Sequence, residues 1–376
     1  MKRKWLALLM VIAVIGTMGG CGSKENKDSK KTTEKNETSG EMKTVKVVMP
    51  RDIECLDDMA MWIGDSQGYF KEQGLKLEMI SGANPSDIQM VATGKADLAC
   101  PSPNVTMAQI ESGVAVKVVS GYDAINIYGF SAVNGGKVKD WADLKGCTIA
   151  LGDASWESIA APTLVAAGLD PKKDVKYVVS GDSRYQMVAE GKADVLFTWI
   201  SEYEQLKGMG YDFNYLDGSK ILDVFGASWV AGNDFLEKNG ETYQKFLYAL
   251  QKSIYFMYKN PEAAADITCN QFPEIEVEWA GALGCANGRV GQALGLNGTL
   301  EEYFINEKGV GYMKPEAWET VISNAASAGV IGKELATDEC YTDKYLPELL
   351  STEDKADAEA DAKAYKCTSE VYKAAQ

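Results

Sequence analysis

From residue 44 onward, short apolar runs alternate with longer segments whose apolar positions recur every three or four residues. TVKVVM (44–49) and LKLEMI (75–80) read as strands, and DDMAMWIGDSQGYFKEQG between them carries a helical period closed by Gly74. SDIQMVATG (86–94) predicts a helix stopped by glycine, KADLAC a short strand, and SPNVTMAQIESG (102–113) another helix. The plan then recurs. GCTIALG (146–152), VKYVVSG (175–181) and KADVLFTW predict strands; ASWESIAAPTLVAAG (154–168), SRYQMVAEG (183–191) and SEYEQLKG (201–208) predict helices. Ser201 and Glu204 have the spacing of a capping box. Pro162 argues for a kink or a later start in its helix. Strands alternating with helices imply a mainly parallel sheet covered on both faces.

The recurrence reaches the level of sequence. QMVATGKADLA (89–99) returns as QMVAEGKADVL (186–196), each copy a helix, a glycine reversal and a strand. Two copies are too few and too distant for a solenoid and instead mark corresponding parts of two lobes. CPSPN follows the first copy and FTWIS the second, at the carboxyl ends of strands, where open parallel sheets bind ligands.

Residues 1–20, MKRKWLALLMVIAVIGTMGG, have the basic start, apolar centre and small-residue end of an export signal. Residues 21–43 are nearly devoid of apolar side chains and predict a flexible tether. No other stretch is long and apolar enough to span a bilayer. With 38 Lys and Arg against 54 Asp and Glu, the net charge is -16, which argues against nucleic acid as a partner. Beyond Cys21, seven cysteines remain, an odd number without a CxxC pair; Cys269 with Cys285 and Cys340 with Cys367 are candidate disulfides. Cys55 and Cys100 fall at the carboxyl ends of predicted strands, where simple burial is the favoured reading.

The chain contains no histidine. That removes Ser-His-Asp and Cys-His catalysis and every imidazole zinc site, leaving an enzyme only carboxylates, Lys, Tyr or Cys for proton transfer. Asp57 and Asp58 are such a pair, read here as solvated surface. No phosphate-binding GxxxxGK[ST] loop occurs, and no cofactor or metal is expected.

Cys21, after Gly19-Gly20 and before Gly22-Ser23, resembles the lipobox cysteine of bacterial lipoproteins, which implies a lipid anchor as the only membrane attachment. PRDIECLDDMAMWIGDSQGYFKEQGLKLEMI, NPSDIQMVATGKADLACPSPN and DLKGCTIALGDASWESIAAPTLVAAGL resemble the nitrate/sulfonate/taurine-type solute-binding proteins of ABC importers, a group that includes binders of thiamine-precursor pyrimidines. The resemblance covers roughly residues 44–260. It implies an α/β, type II periplasmic-binding-protein fold in which two parallel-sheet lobes close over a ligand cleft by hinge motion. Lobe one would take residues 44–132, lobe two 133–230, and residues 231–376 would return to lobe one with C-terminal helices; the crossings would fall near 130–137 and 226–235. The implied partners are a small-molecule ligand and the permease and ATPase of an importer, with the protein itself a monomer. A sensory ectodomain and a carboxylate-based enzyme stand as alternatives.

On that plan, helix N-termini face the cleft. Ser102 reads as an N-cap before Pro103, turning Asn104 toward the crevice, and Ser155 with Trp156 holds the matching place in lobe two. Trp62, Trp156, Trp199 and Trp229 are the candidate flat faces for an aromatic or cationic ligand. Glu157 would repel an anion, whereas Arg184, one of four arginines, would fork onto one. The balance leans to a planar, nitrogen-bearing aromatic ligand, with a sulfonate-type anion next.

Overall fold

The computed structural model describes residues 42–294 and 311–376. The expected export signal, Cys21 and the expected tether up to residue 41 lie outside the described residues. Two five-stranded sheets organise the rest. The first has the order β2-β1-β3-β10-β4 and the second β7-β6-β8-β5-β9. Here β1 is Lys43–Met49, β2 Leu75–Ser81, β3 Leu98–Ala99, β4 Val116–Gly121 and β10 Ser228–Gly232; β5 is Tyr128–Val133, β6 Thr148–Leu151, β7 Lys176–Val179, β8 Val195–Trp199 and β9 Phe213–Asp217. The expected α/β two-lobed fold is therefore present, with one refinement. Each sheet is mixed, because β10 runs antiparallel between β3 and β4, and β5 antiparallel between β8 and β9.

The duplicated eleven-mer now has a physical role. In lobe one the repeated Asp97 donates its amide to the Lys46 carbonyl (2.8 Å) and accepts the Lys46 amide on its carboxylate (2.9 Å). In lobe two Asp194 does the same with Thr148, at 3.0 and 2.8 Å. Each Asp thus locks the strand that follows it, β3 or β8 at the centre of its sheet, to the neighbouring β1 or β6. Gly94 and Gly191 make the preceding reversal with φ of 71° and 70°, which side chains with a Cβ rarely adopt.

The chain passes between sheets at residues 122–127 and 218–227, earlier than the sequence suggested. Residues 130–137, where the first crossing was expected, instead hold the end of β5 and the turn at Asn134-Gly135-Gly136. The returning segment is likewise a strand, β10, built into the first sheet. The helical stretch after β1 divides at Gln67-Gly68 into α1 (Met59–Ser66) and α2 (Tyr69–Glu72). Then come α3 (Ser86–Ala92), α4 (Pro103–Glu111), α5 (Trp156–Ala166), α6 (Arg184–Ala189) and α7 (Ile200–Gly208), close to their predicted spans; Pro162 is accommodated inside α5.

The C-terminal third departs from the expected return to lobe one. Helices α8 (Leu236–Lys259) and α9 (Pro261–Gln271) do pack on α1, but α10 (Trp279–Leu294) lies along α7 of lobe two. Helix α11 (Pro315–Ser327) touches both α4 and α5, so its Trp318 and Val321 join a single apolar cluster shared by the two lobes. The α7–α10 contact is backbone to backbone: a Cβ on Gly284 would sit 2.3 Å from the Glu204 carbonyl oxygen, and one on Gly288 2.5 Å from the Ser201 Cα. Gly284→Ala should therefore destabilise the protein by about 1–3 kcal/mol, reversing the roughly 1 kcal/mol gain expected at an open helical glycine. Urea unfolding of the variant checks the sign.

None of the seven described cysteines is bonded to another, so neither candidate disulfide is present. Five of them are buried as thiols, Cys100, Cys147, Cys269, Cys285 and Cys340, where they pack as small apolar side chains.

Candidate functional site

A cavity of about 620 Å³ lies where the carboxyl ends of strands from both sheets meet. Lobe one contributes the loop after β1, the loop at Asn84, and the exits of β3 and β4 at Ser102 and Tyr122. Lobe two contributes Trp156 at the start of α5 and Phe197 with Trp199 at the end of β8. A third wall comes from α10, through Arg289 and Gln292.

Of the residues singled out from sequence, Ser102, Trp156 and Trp199 line this space. The two indoles meet edge to face at 5.6 Å, and Trp156 packs against Phe197. Ser102 occupies the N-cap position of α4 without a capping bond, and its buried hydroxyl has no hydrogen-bond partner among the described residues. Asn104 lies instead in an adjoining cavity of about 340 Å³ bounded by both crossing segments. Ser155 and Glu157 flank Trp156 outside the lining, with Glu157 exposed.

The other three go elsewhere. Trp62 is buried in lobe one, edge-on to Phe272 at 5.0 Å, because nearly the whole of α1 is core. Trp229 is fully buried against Tyr122 and Phe246, since it lies within β10 on the face turned to α8. Arg184 does not reach the cavity. A buried guanidinium needs a counter-charge, and it takes Glu202, which also accepts from the Thr198 hydroxyl at 2.6 Å. Arg184 faces the Trp156 and Trp199 rings from behind at 5.0 and 5.7 Å and so props up the aromatic wall. Burial pushes the Glu202 carboxyl up, and Arg184 pulls it back down.

The polar chemistry of the cavity was missed. Arg51 pairs with Asp58, which is fully buried, and Arg289 pairs with the buried Asp123 at 3.1 Å. For both acids burial raises the carboxyl pKa and the partnering guanidinium opposes it. The reading of Asp57-Asp58 as solvated surface is thereby corrected. Asp57 spans the cleft, accepting from Trp199 Nε1 (3.1 Å) and Ser201 Oγ (2.6 Å). This also displaces the expected capping box: Ser201 lies inside α7, whose N-cap is Trp199, and its hydroxyl serves the stronger carboxylate acceptor. Several lining groups have no hydrogen-bond partner among the described residues: Arg51 Nε, Asn84 Oδ1, Tyr122 OH, Arg289 Nη2 and both ends of the Gln292 amide. Buried polar atoms of this kind carry a substantial desolvation cost unless a bound molecule or water meets them. One signal pointed here. Three of the four arginines follow residue 50 in a chain rich in lysine, and Arg51 stands two residues past the end of a predicted strand.

Among the described residues no cluster of side chains suits a metal ion, and no helix is long and apolar enough to cross a membrane.

Comparison with known proteins matches residues 57–264 to the family described as NMT1/THI5 like. The formylaminopyrimidine-binding protein of Halalkalibacterium halodurans is 28% identical over 214 residues, covering 55% of this chain and 64% of that protein. The chain thus spans less than two thirds of that relative. The riboflavin-binding protein RibY of Chloroflexus aurantiacus is 23% identical over 76% of this chain and 81% of its own length. The 4-amino-5-hydroxymethyl-2-methylpyrimidine phosphate synthase THI12 of Saccharomyces cerevisiae is 25% identical over 54% of this chain and 64% of its own. Among solved structures, the periplasmic aliphatic sulphonate binding protein SsuA of Escherichia coli superposes with a TM-score of 0.61 at 15% identity, covering 82% of this chain and 94% of that one. At that identity the likeness speaks for the periplasmic-binding-protein fold.

Proposed function

The chain belongs to the NMT1/THI5-like family, and from that premise we propose that it is an extracytoplasmic solute-binding protein of an ABC importer. On this reading it is a monomer held to the membrane through lipidated Cys21, and it captures a planar, nitrogen-bearing heterocycle for transfer to a permease and ATPase. The observation that carries the reading is the pairing of an aromatic wall, Trp156 and Trp199, with unpartnered donors and acceptors from lobe one and α10 around one cavity. A heteroaromatic ring offers a face for the indoles and an edge of alternating donors and acceptors for Asn84, Tyr122 and Gln292.

Charge separates this ligand from a sulfonate. Both cavity guanidiniums are already matched by buried carboxylates, and Asp57 adds a further acid, so an entering anion meets no uncompensated positive charge. Binding without turnover fits a chain devoid of histidine.

Titration calorimetry with 4-amino-5-hydroxymethyl-2-methylpyrimidine and with taurine tests the reading. The pyrimidine should bind and taurine should not, and Trp156→Ala should weaken the pyrimidine by about one to two orders of magnitude. Tight taurine binding would overturn the ligand class, and binding unaltered by Trp156→Ala would overturn the site.

A further inference from the structure

The hydrogen bonds of Asp57 cross between lobes at the ligand wall itself. Asp57 belongs to lobe one, in the loop between β1 and α1; the groups that donate to it, the Trp199 indole N–H and the Ser201 hydroxyl, belong to the β8–α7 junction of lobe two. Both bonds end on one oxygen, Oδ1. Trp199 is at once a lining ring of the cavity and the bearer of one of these bonds. Its ring is fixed from behind by Arg184, within lobe two. The bond to Asp57 is thus the constraint on the ring that comes from the opposite lobe.

We propose that Asp57 is a positioning residue that couples lobe closure to the orientation of the Trp199 face, so that ligand affinity depends on a bond made wholly by the protein. The inference rests on the cleft being the binding site. When the lobes part, the carboxylate and the indole N–H lose each other, and the ring keeps only its contacts within lobe two. When they close, the same bond orders the ring and favours the closed state. Ligand stacking and closure then stabilise one another, as linkage requires. A bond to an ionised acceptor is strong enough to matter: its removal is expected to cost about tenfold or more in affinity.

The test compares Asp57→Ala, Asp57→Asn and Ser201→Ala in the full chain, with and without 4-amino-5-hydroxymethyl-2-methylpyrimidine. Without any ligand, Asp57→Ala should enlarge the radius of gyration in X-ray scattering. It should also shift upfield the Trp199 indole N–H resonance, assigned by its loss in Trp199→Phe. Asp57→Asn keeps an oxygen acceptor and should restore both readouts in large part; Ser201→Ala, made on the opposite lobe, should produce a partial form of the change. With the pyrimidine, Asp57→Ala should weaken binding about tenfold or more, and this loss should shrink in a Trp199→Phe background. Unchanged scattering and indole resonance in both Asp57→Ala and Ser201→Ala would overturn the proposal, as would an equal loss of affinity with and without Trp199. Failure of the unaltered protein to bind the pyrimidine would count against the proposed ligand, while the ligand-free readouts would still decide the role of Asp57.

Discussion

Arg289→Met is expected to destabilise the protein by about 3–5 kcal/mol, the effect of stranding a buried charge. Asp123 is 1% exposed, and its carboxylate holds two elements together. One oxygen meets Arg289 of α10 at 3.1 Å; the other accepts the Ala227 amide, also at 3.1 Å. Asp123 lies in the first crossing between lobes and Ala227 in the second, so the carboxylate ties the two crossing segments to α10. Methionine would fill much of the arginine volume but leave Asp123 with burial uncompensated. The double variant Arg289→Met with Asp123→Asn removes the stranded charge while retaining an acceptor for Ala227, and it should recover most of the loss. Urea unfolding of both variants measures the difference. Equal destabilisation in the single and double variants would show that the charge pair is not what matters there.

Asp87→Asn is expected to stabilise the protein, and only at higher pH. Asp87 is fully buried on α3, and both carboxylate oxygens lack a full hydrogen-bond partner among the described residues, receiving only weak support from nearby backbone amides. Burial pushes its pKa up to about 7. An unfolded aspartate titrates near 3.9, so the folded chain holds this proton more tightly than the unfolded one. The contribution to stability is then fully present below about pH 4 and is lost as pH rises toward 7, by about 4 kcal/mol in all. Asparagine cannot ionise. The stability difference between variant and parent should be small at pH 4 and grow to a few kcal/mol by pH 8, whatever the other carboxylates do to each. A difference that stays flat between those pH values would refute the assignment.

The architecture was legible because its signals are local. Period-two and period-3.6 runs delimit β1, β2 and α3 to within a residue or two, and the repeated GKAD is conserved within the chain by a hydrogen-bonding task that each lobe must perform. The cavity was only half legible. Trp156 and Trp199 stand at element ends that the α/β plan directs to the cleft, whereas Trp62 and Trp229 differ from them by which face of α1 or β10 they occupy, and both faces are buried. The polar residues failed for a different reason. In an acidic chain, neighbouring Asp57 and Asp58 look like ordinary surface, and only the fold reveals that a loop after β1 carries them inward. Arg289 and Gln292 come from a helix far along the chain, and no local pattern announces that α10 turns back to wall a cleft between lobes.

The most direct measurement is a crystal structure of the full chain grown with 4-amino-5-hydroxymethyl-2-methylpyrimidine. A flat ring is expected against Trp156 and Trp199, with its edge hydrogen-bonded to groups that include Gln292 and Tyr122. Pyrimidine density seated anywhere else, with the indoles and these polar groups left untouched by it, would contradict the account.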